Sequence, residues 1–201
     1  MKTSTLGFLM IAAVVLCASV AAVSGAYRLD AQQVVNLITG TDDVPMQDKI
    51  VFWQIRLPRI LAALLLGAAL ASAGTTYQGM FRNPLVSPDI LGVAAGAGLG
   101  ACTAILFGLP ILFIQLYAFT GGLFVVAGVW LITRRVKRHD PVLTLVLVGI
   151  ALGTVCGAGI SLIKTLADPY TQLPSITFWL LGGLSTITLH DLWFSAPLIL
   201  A

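Results

Sequence analysis

Apolar run follows apolar run through this chain, each close to the length that crosses a lipid bilayer. An α-helix needs about 20 apolar residues to traverse roughly 30 Å of hydrocarbon. Segments at approximately 6–24, 60–80, 89–107, 111–132 and 141–163 meet or approach that length. Of the 201 residues 58% are hydrophobic and only 9% charged, and glutamate is absent. Soluble domains carry about a quarter charged residues. A water-soluble fold has no place for so much apolar surface, so lipid is its natural solvent. The sequence therefore predicts an all-α integral membrane protein, a polytopic helical bundle of about five complete transmembrane helices.

Punctuation at the segment ends supports helices. Pro58 stands at the entrance to the second. Ser87-Pro88-Asp89 opens the third with a capping hydroxyl, a first-turn proline and an acid facing the positive end of the helix dipole. Asp140-Pro141 does the same for the fifth. The third segment is rich in glycine, which lowers helix propensity in water. In lipid, small residues let helix backbones approach closely. Gly92, Gly96 and Gly100 share one face, and Gly149, Gly153 and Gly157 repeat the spacing. A helix-packing face is the plainer reading; a glycine-lined substrate path is the sharper one. The first segment, with Lys2 before it and Ser24-Gly25-Ala26 after it, also has features of a secretory signal. Its length and the four spans that follow favour a retained first helix.

Arg134, Arg135, Lys137, Arg138 and His139 form the densest basic run. The positive-inside rule places this loop, about 133–140, in the cytoplasm. Counting back four crossings puts the N-terminus and Lys2 there as well, along with Arg82. Arg28, Lys49, Arg56 and Arg59 then lie in an external connection at about 25–59, mixed with Asp30, Asp42, Asp43 and Asp48. Gln32 to Ile38 is predicted to form a short surface helix within it. Residues 168–191, with Asp168-Pro169, Pro174 and Gly182-Gly183, are too interrupted to span and read as a short broken or re-entrant helix. Such segments persist only where protein or a water-filled cavity satisfies the backbone. Leu192–Ala201 reads as the start of a sixth span, so 1–201 is expected to be one truncated transmembrane domain.

Two stretches of residues resemble one family. Gln54-Ile55-Arg56-Leu57-Pro58-Arg59, then Gln78, Asn83-Pro84-Leu85, Pro88 and Ile90-Leu91-Gly92 in order, resemble the signature region of FecCD-type permeases of ATP-binding-cassette importers. Phe178-Trp179-Leu180-Leu181-Gly182-Gly183-Leu184-Ser185 is similar to the segment before that family's sixth span. The resemblance implies a permease subunit in the bacterial inner (cytoplasmic) membrane, for an iron-siderophore, haem, cobalamin or related metal chelate. It implies a second permease subunit, identical or paralogous, and a cytoplasmic ATP-binding subunit that alone uses ATP. It also implies a periplasmic substrate-binding protein that docks on Arg56 and Arg59. The chain covers about three-fifths of such a permease, and the loop that couples to the ATPase lies beyond residue 201.

Each candidate residue also has a bland reading. Arg56 and Arg59 could simply anchor a helix at the headgroups. Gln78 and Asn83, expected near the cytoplasmic end of the pathway, could be no more than a helix stop. Phe178 and Trp179, expected beside the external cavity, could be interfacial aromatics like Tyr27, Trp53 and Trp193. His190 beside Asp191 is expected to be an interface pair. Cys17, Cys102 and Cys156 are scattered in apolar stretches without metal-ligand spacing, so they read as small buried hydrophobes and no metal site is expected.

No catalytic residue is expected. The sequence holds no phosphate-cradling Gly-x-x-x-x-Gly-Lys loop and neither a His-Glu-x-x-His nor a Gly-x-Ser-x-Gly motif. An ion-coupled secondary transporter or channel subunit is the alternative. Its relay carboxylates would lie within the membrane, whereas every aspartate here is placed at a span end or in a loop. The charge balance of +3 is concentrated in one run beside the membrane and gives no support for a nucleic-acid partner. With the native cysteines replaced, a single cysteine at Lys137 is predicted to resist an impermeant maleimide in intact cells and to react after lysis. Labelling from outside would invert the topology.

Overall fold

The computed structural model describes residues 3–40, 44–84, 87–136 and 141–200. Lys2, Asp42, Asp43, Leu85, Lys137, Arg138, His139 and Asp140, which carry parts of the expectations above, lie outside the described residues. Every regular element among the described residues is a helix. It divides into two compact units, residues 1–70 with 184–201, and residues 71–183. Four helical stretches among the described residues are long and apolar enough to cross a membrane: Ser4–Val23, Met46–Phe81, Ile111–Arg135 and Val142–Leu166.

In the first unit, α1 (Thr3–Val23) is apolar on all sides and exposed along nearly its whole length. That is the composition of a helix whose surroundings are lipid or other hydrophobic helices. A short α2 (Ala31–Thr39) follows, closed by Gly40 in the left-handed region at φ 77°, its N–H donating to the Asn36 carbonyl. Val34 and Leu37 of α2 join Ala22, Leu29, Val44 and Phe52 in a small core. The surface helix expected at 32–38 is therefore present and one residue longer at each end.

The connection expected at 25–59 is much shorter. α3 (Met46–Ile50) runs directly into a π-helix (Val51–Arg56) and then α4 (Leu57–Phe81), an unbroken helical stretch of 36 residues. Charged Asp48, Lys49, Arg56 and Arg59, which made this segment read as a loop, are inside the helix. Pro58 does not start the helix but sits within it, almost fully buried. A proline ring in a regular α-helix clashes with the carbonyl four residues back. Here the turn before it is widened: the Leu57 N–H reaches the Phe52 carbonyl, five residues away. The π register makes room for the ring without ending the helix.

The second unit holds the end of α4, a 3-10 turn (Pro88–Leu91), α5 (Val93–Leu106), α6 (Ile111–Arg135), α7 (Pro141–Leu166) and α8 (Gln172–Leu181). The third apolar segment forms a shorter helix than expected. Gly92 is left-handed at φ 74° and separates the 3-10 turn from a 14-residue α5. At 1.5 Å per residue α5 is roughly 21 Å long. Ser87 makes no side-chain cap; its carbonyl accepts the Ile90 N–H at 3.2 Å.

α5 lies against α6 and α7 through glycine. A Cβ on Gly96 would stand 2.6 Å from the Gly121 carbonyl oxygen and 2.5 Å from Val125, and one on Gly100 would collide with the Tyr117 carbonyl. Gly92 meets the backbone of Gly149 and Gly153, and Gly149 in turn faces Ile90 and Leu91. Gly157 differs. Nothing lies within 4 Å of its missing side chain, so in this chain the second glycine row packs only at its first two positions. Two apolar clusters flank the crossing, one around Leu91, Val125, Val129 and Cys156, the other around Cys102, Ile105, Ile163, Ala167 and Ile176.

Gly100→Ala is predicted to force α5 from α6 and cost about 1–3 kcal/mol. Gly157→Ala should change stability by no more than about 0.5 kcal/mol. Thermal unfolding in detergent measures both, and equal losses would refute the asymmetry.

Candidate functional site

The polar residues of the first unit gather where α1 ends. The last carbonyls of a helix have no partner inside it. Arg56, at the end of the π-helix, donates Nη1 to the Ala22 carbonyl and Nη2 to the Tyr27 carbonyl. Its side chain is only 7% exposed. Gly25 admits it: a Cβ there would lie 2.9 Å from Nη2. Nearby, the Tyr27 hydroxyl donates to Asp48 Oδ1 at 2.7 Å. That bond, with desolvation and the Asp48 charge behind it, pushes the Tyr27 phenol above its ordinary pKa. Asp48 is 1% exposed and its Oδ2 has no partner.

Arg56 is thus a buried clasp on α1, where the sequence suggested an exposed cation. One guanidinium satisfies both the orphan Ala22 carbonyl at the end of α1 and the Tyr27 carbonyl in the segment that follows it. Arg59, one turn further along, is half-buried. Its Nη2 donates to the Ser185 carbonyl at 2.6 Å, while Nε is buried without a partner. Both arginines sit at the mouth of a groove of about 760 Å³ between α1 and the π-helix and α4, walled by Ala13, Cys17, Ala21, Ile60 and Leu64.

The other candidates belong to the second unit. Gln78 is exposed near the end of α4, and its carbonyl accepts the Asn83 N–H at 3.2 Å. Arg82 between them has φ 49°, the left-handed value that turns the chain out of the helix. Asn83 is half-buried in that turn. On α8, Ile176 is fully buried, whereas Phe178 is 77% and Trp179 40% exposed. A ten-residue helix rises roughly 15 Å and cannot span. It is fixed at its start instead. The Asp168 carboxylate accepts the Thr171 hydroxyl and the backbone N–H groups of Tyr170 and Thr171, which hold its pKa below the ordinary value. Gln172 Nε2 donates to the Leu106 carbonyl at the end of α5 at 2.8 Å.

Tyr27, Asp48, Gly25 and Gln172 were not singled out for these roles by the sequence. Only the adjacency of a glycine to a helix end and of a glutamine to an Asp-Pro turn hinted at them. Among the described residues no group of His, Cys, Asp or Glu could hold a metal ion.

The family model described as "FecCD transport family" matches residues 8–201. The molybdate import system permease protein MolB of Haemophilus influenzae is 36% identical over 181 residues, which cover 88% of this chain and 53% of that one. The vitamin B12 import system permease protein BtuC of Salmonella paratyphi A is 37% identical over 162 residues, 79% of this chain and 48% of that one. The chain thus spans about half the length of these relatives. A solved structure described as an inward-facing conformation of a metal-chelate type ABC transporter superposes with a TM-score of 0.80 at 32% identity, covering 98% of this chain and 59% of that one.

Arg56→Ala is predicted to destabilise the chain by about 2–4 kcal/mol, since it strands two carbonyls that a charged donor now satisfies. Arg59→Ala should cost less, with one bond lost at a half-exposed position. Thermal melts of the two variants in detergent check the order, and a neutral Arg56→Ala would remove the clasp.

Proposed function

The chain belongs to the FecCD transport family, and from that premise we propose that it is a membrane-spanning permease subunit of an ATP-binding-cassette importer. With a second permease subunit, identical or paralogous, it lines the path of a compound handed over by a periplasmic binding protein. A separate cytoplasmic subunit hydrolyses the ATP. The observation that carries this reading is the extent of the likeness: 98% of the chain follows one subunit of a metal-chelate type transporter at a TM-score of 0.80. The task is physical rather than covalent, an alternation in which packed helices rock to open the path first outward and then inward.

Iron-siderophore cargo has no support among the relatives named above, one named for molybdate and the other for vitamin B12. A metal-containing compound, chelate or oxyanion, is the class consistent with both. With α5 and the 3-10 turn before it counted as one crossing, the basic run after α6 argues for a cytoplasmic N-terminus in a bacterial inner membrane. On that orientation the Arg56 clasp and Arg59 lie at the external mouth. Docking then falls to Arg59, whose guanidinium keeps free donors suited to a carboxylate on the binding protein. Gln78 and Asn83 at the other end of α4, and Phe178 and Trp179 on α8, remain the proposed pathway residues.

In inside-out vesicles loaded with binding protein, or in nanodiscs, Arg59→Glu is predicted to lower binding-protein affinity by at least about tenfold, as rim charge reversal at a close pair does. Insertion into the membrane should be unchanged. Unaltered affinity would remove Arg59 from the docking surface.

A further inference from the structure

The opposite face of α6 from its glycine contacts is a continuous apolar stripe that ends on a cation. Gly122, Val125 and Val129 are buried against the neighbouring helices. Turned away from them, Leu116, Phe119, Leu123, Ala127, Trp130 and Arg134 follow one another at spacings of three and four, which keeps them on one side of the helix. Leu116 is 49% exposed, Phe119 67%, Leu123 52% and Trp130 53%. Arg134 lies over the Trp130 indole, its guanidinium carbon 4.5 Å from the ring centroid. Arg135 is next to it in the last turn. The sequence contains no acidic residue between Asp89 and Asp140, while Lys137 and Arg138 add to the positive charge beyond the helix.

We propose that this end of α6 is a binding site for an anionic phospholipid, with the headgroup phosphate on Arg134 and Arg135 and an acyl chain along Trp130, Ala127 and Leu123. Three features select this occupant. The stripe from Leu123 to Arg134 is roughly 16 Å long, about half the hydrocarbon core and so the reach of one leaflet's chains. The indole is an amphipathic ring at the level where such rings settle. Stacking on it holds the guanidinium against the helix, so that less side-chain freedom is lost when a phosphate takes its remaining donors. A zwitterionic lipid offers the same chain but not the net charge, and clustered basic residues at a span end favour anionic headgroups over neutral ones. The site is independent of the transport reading: it depends on α6 lying in a bilayer, not on what the protein carries.

The test uses the whole chain with Trp53, Trp179 and Trp193 changed to Phe, which leaves Trp130 as the sole indole. It is reconstituted in phosphatidylethanolamine bilayers containing phosphatidylglycerol, with one or the other lipid brominated. Brominated phosphatidylglycerol is expected to quench Trp130 about fivefold more, per mole of lipid, than brominated phosphatidylethanolamine. Arg134→Gln with Arg135→Gln should abolish that preference while leaving quenching itself in place. Lys164→Gln, on α7, should leave it intact. Equal quenching by the two lipids would overturn the proposal, as would no quenching by either, which would mean that protein covers the stripe. If the single-indole variant fails to fold, native mass spectrometry of the wild-type chain replaces it. Retained phosphatidylglycerol that disappears in the double arginine variant supports the site. Equal retention in both forms refutes it.

Discussion

Two helix backbones touch where α5 crosses α6, and the second unit is arranged around that contact. Lipid tails are as apolar as leucine, so burial from water does not drive helices together inside a bilayer. Association there rests on dispersion between closely fitted surfaces, which falls away within an ångström of separation. Gly96 and Gly100 remove the atoms that would hold α5 off Gly121 and the Tyr117 carbonyl. Gly92, in its left-handed turn, lets the chain enter α5 against Gly149 and Gly153 of α7. The clusters around Val125 and Cys102 fill in on either side of a crossing already fixed by backbone. The α8 helix, too short to hold a place in the membrane alone, is tied to the end of α5 by Gln172.

A different force organises the first unit. The end of a membrane helix leaves carbonyls that apolar surroundings cannot satisfy, and Arg56, 34 residues further on, answers that of Ala22 while also holding the Tyr27 carbonyl beyond the helix. The π-turn that ends on Arg56 also lets the helix pass Pro58 without breaking. Clasp and π-turn are two parts of one solution: the same six residues accommodate the proline and deliver the arginine. The Tyr27 to Asp48 bond adds a second tie between the same two segments.

The positions of the long helices were legible because hydrophobic length is a local property. Their ends were not. Met46 to Arg59 carries four charges and looked like a connection in water, yet three of them find partners remote in sequence from within a helix: Tyr27 for Asp48, Ala22 and Tyr27 for Arg56, and Ser185 for Arg59. The third segment looked uniformly apolar, yet the positive φ of Gly92 divides it, and composition does not reveal a dihedral angle. Gly157 has the same spacing as Gly149 and Gly153 but meets nothing, since a periodic pattern names a face without naming a partner for every position. At the candidate site, Arg56 and Arg59 were singled out by their place either side of Pro58. Their difference, one locked on carbonyls and one with donors to spare, depends on Gly25 and Ser185, which lie far from them in sequence.

Purification of the protein from its own bacterial membranes in mild detergent tests the permease assignment most directly. Two partners should elute with it in fixed proportion: a second permease subunit and an ATP-hydrolysing subunit whose activity rises when a periplasmic binding protein is added. A preparation that carries substrate across a bilayer with no ATP-hydrolysing partner, driven instead by an ion gradient, would contradict the account.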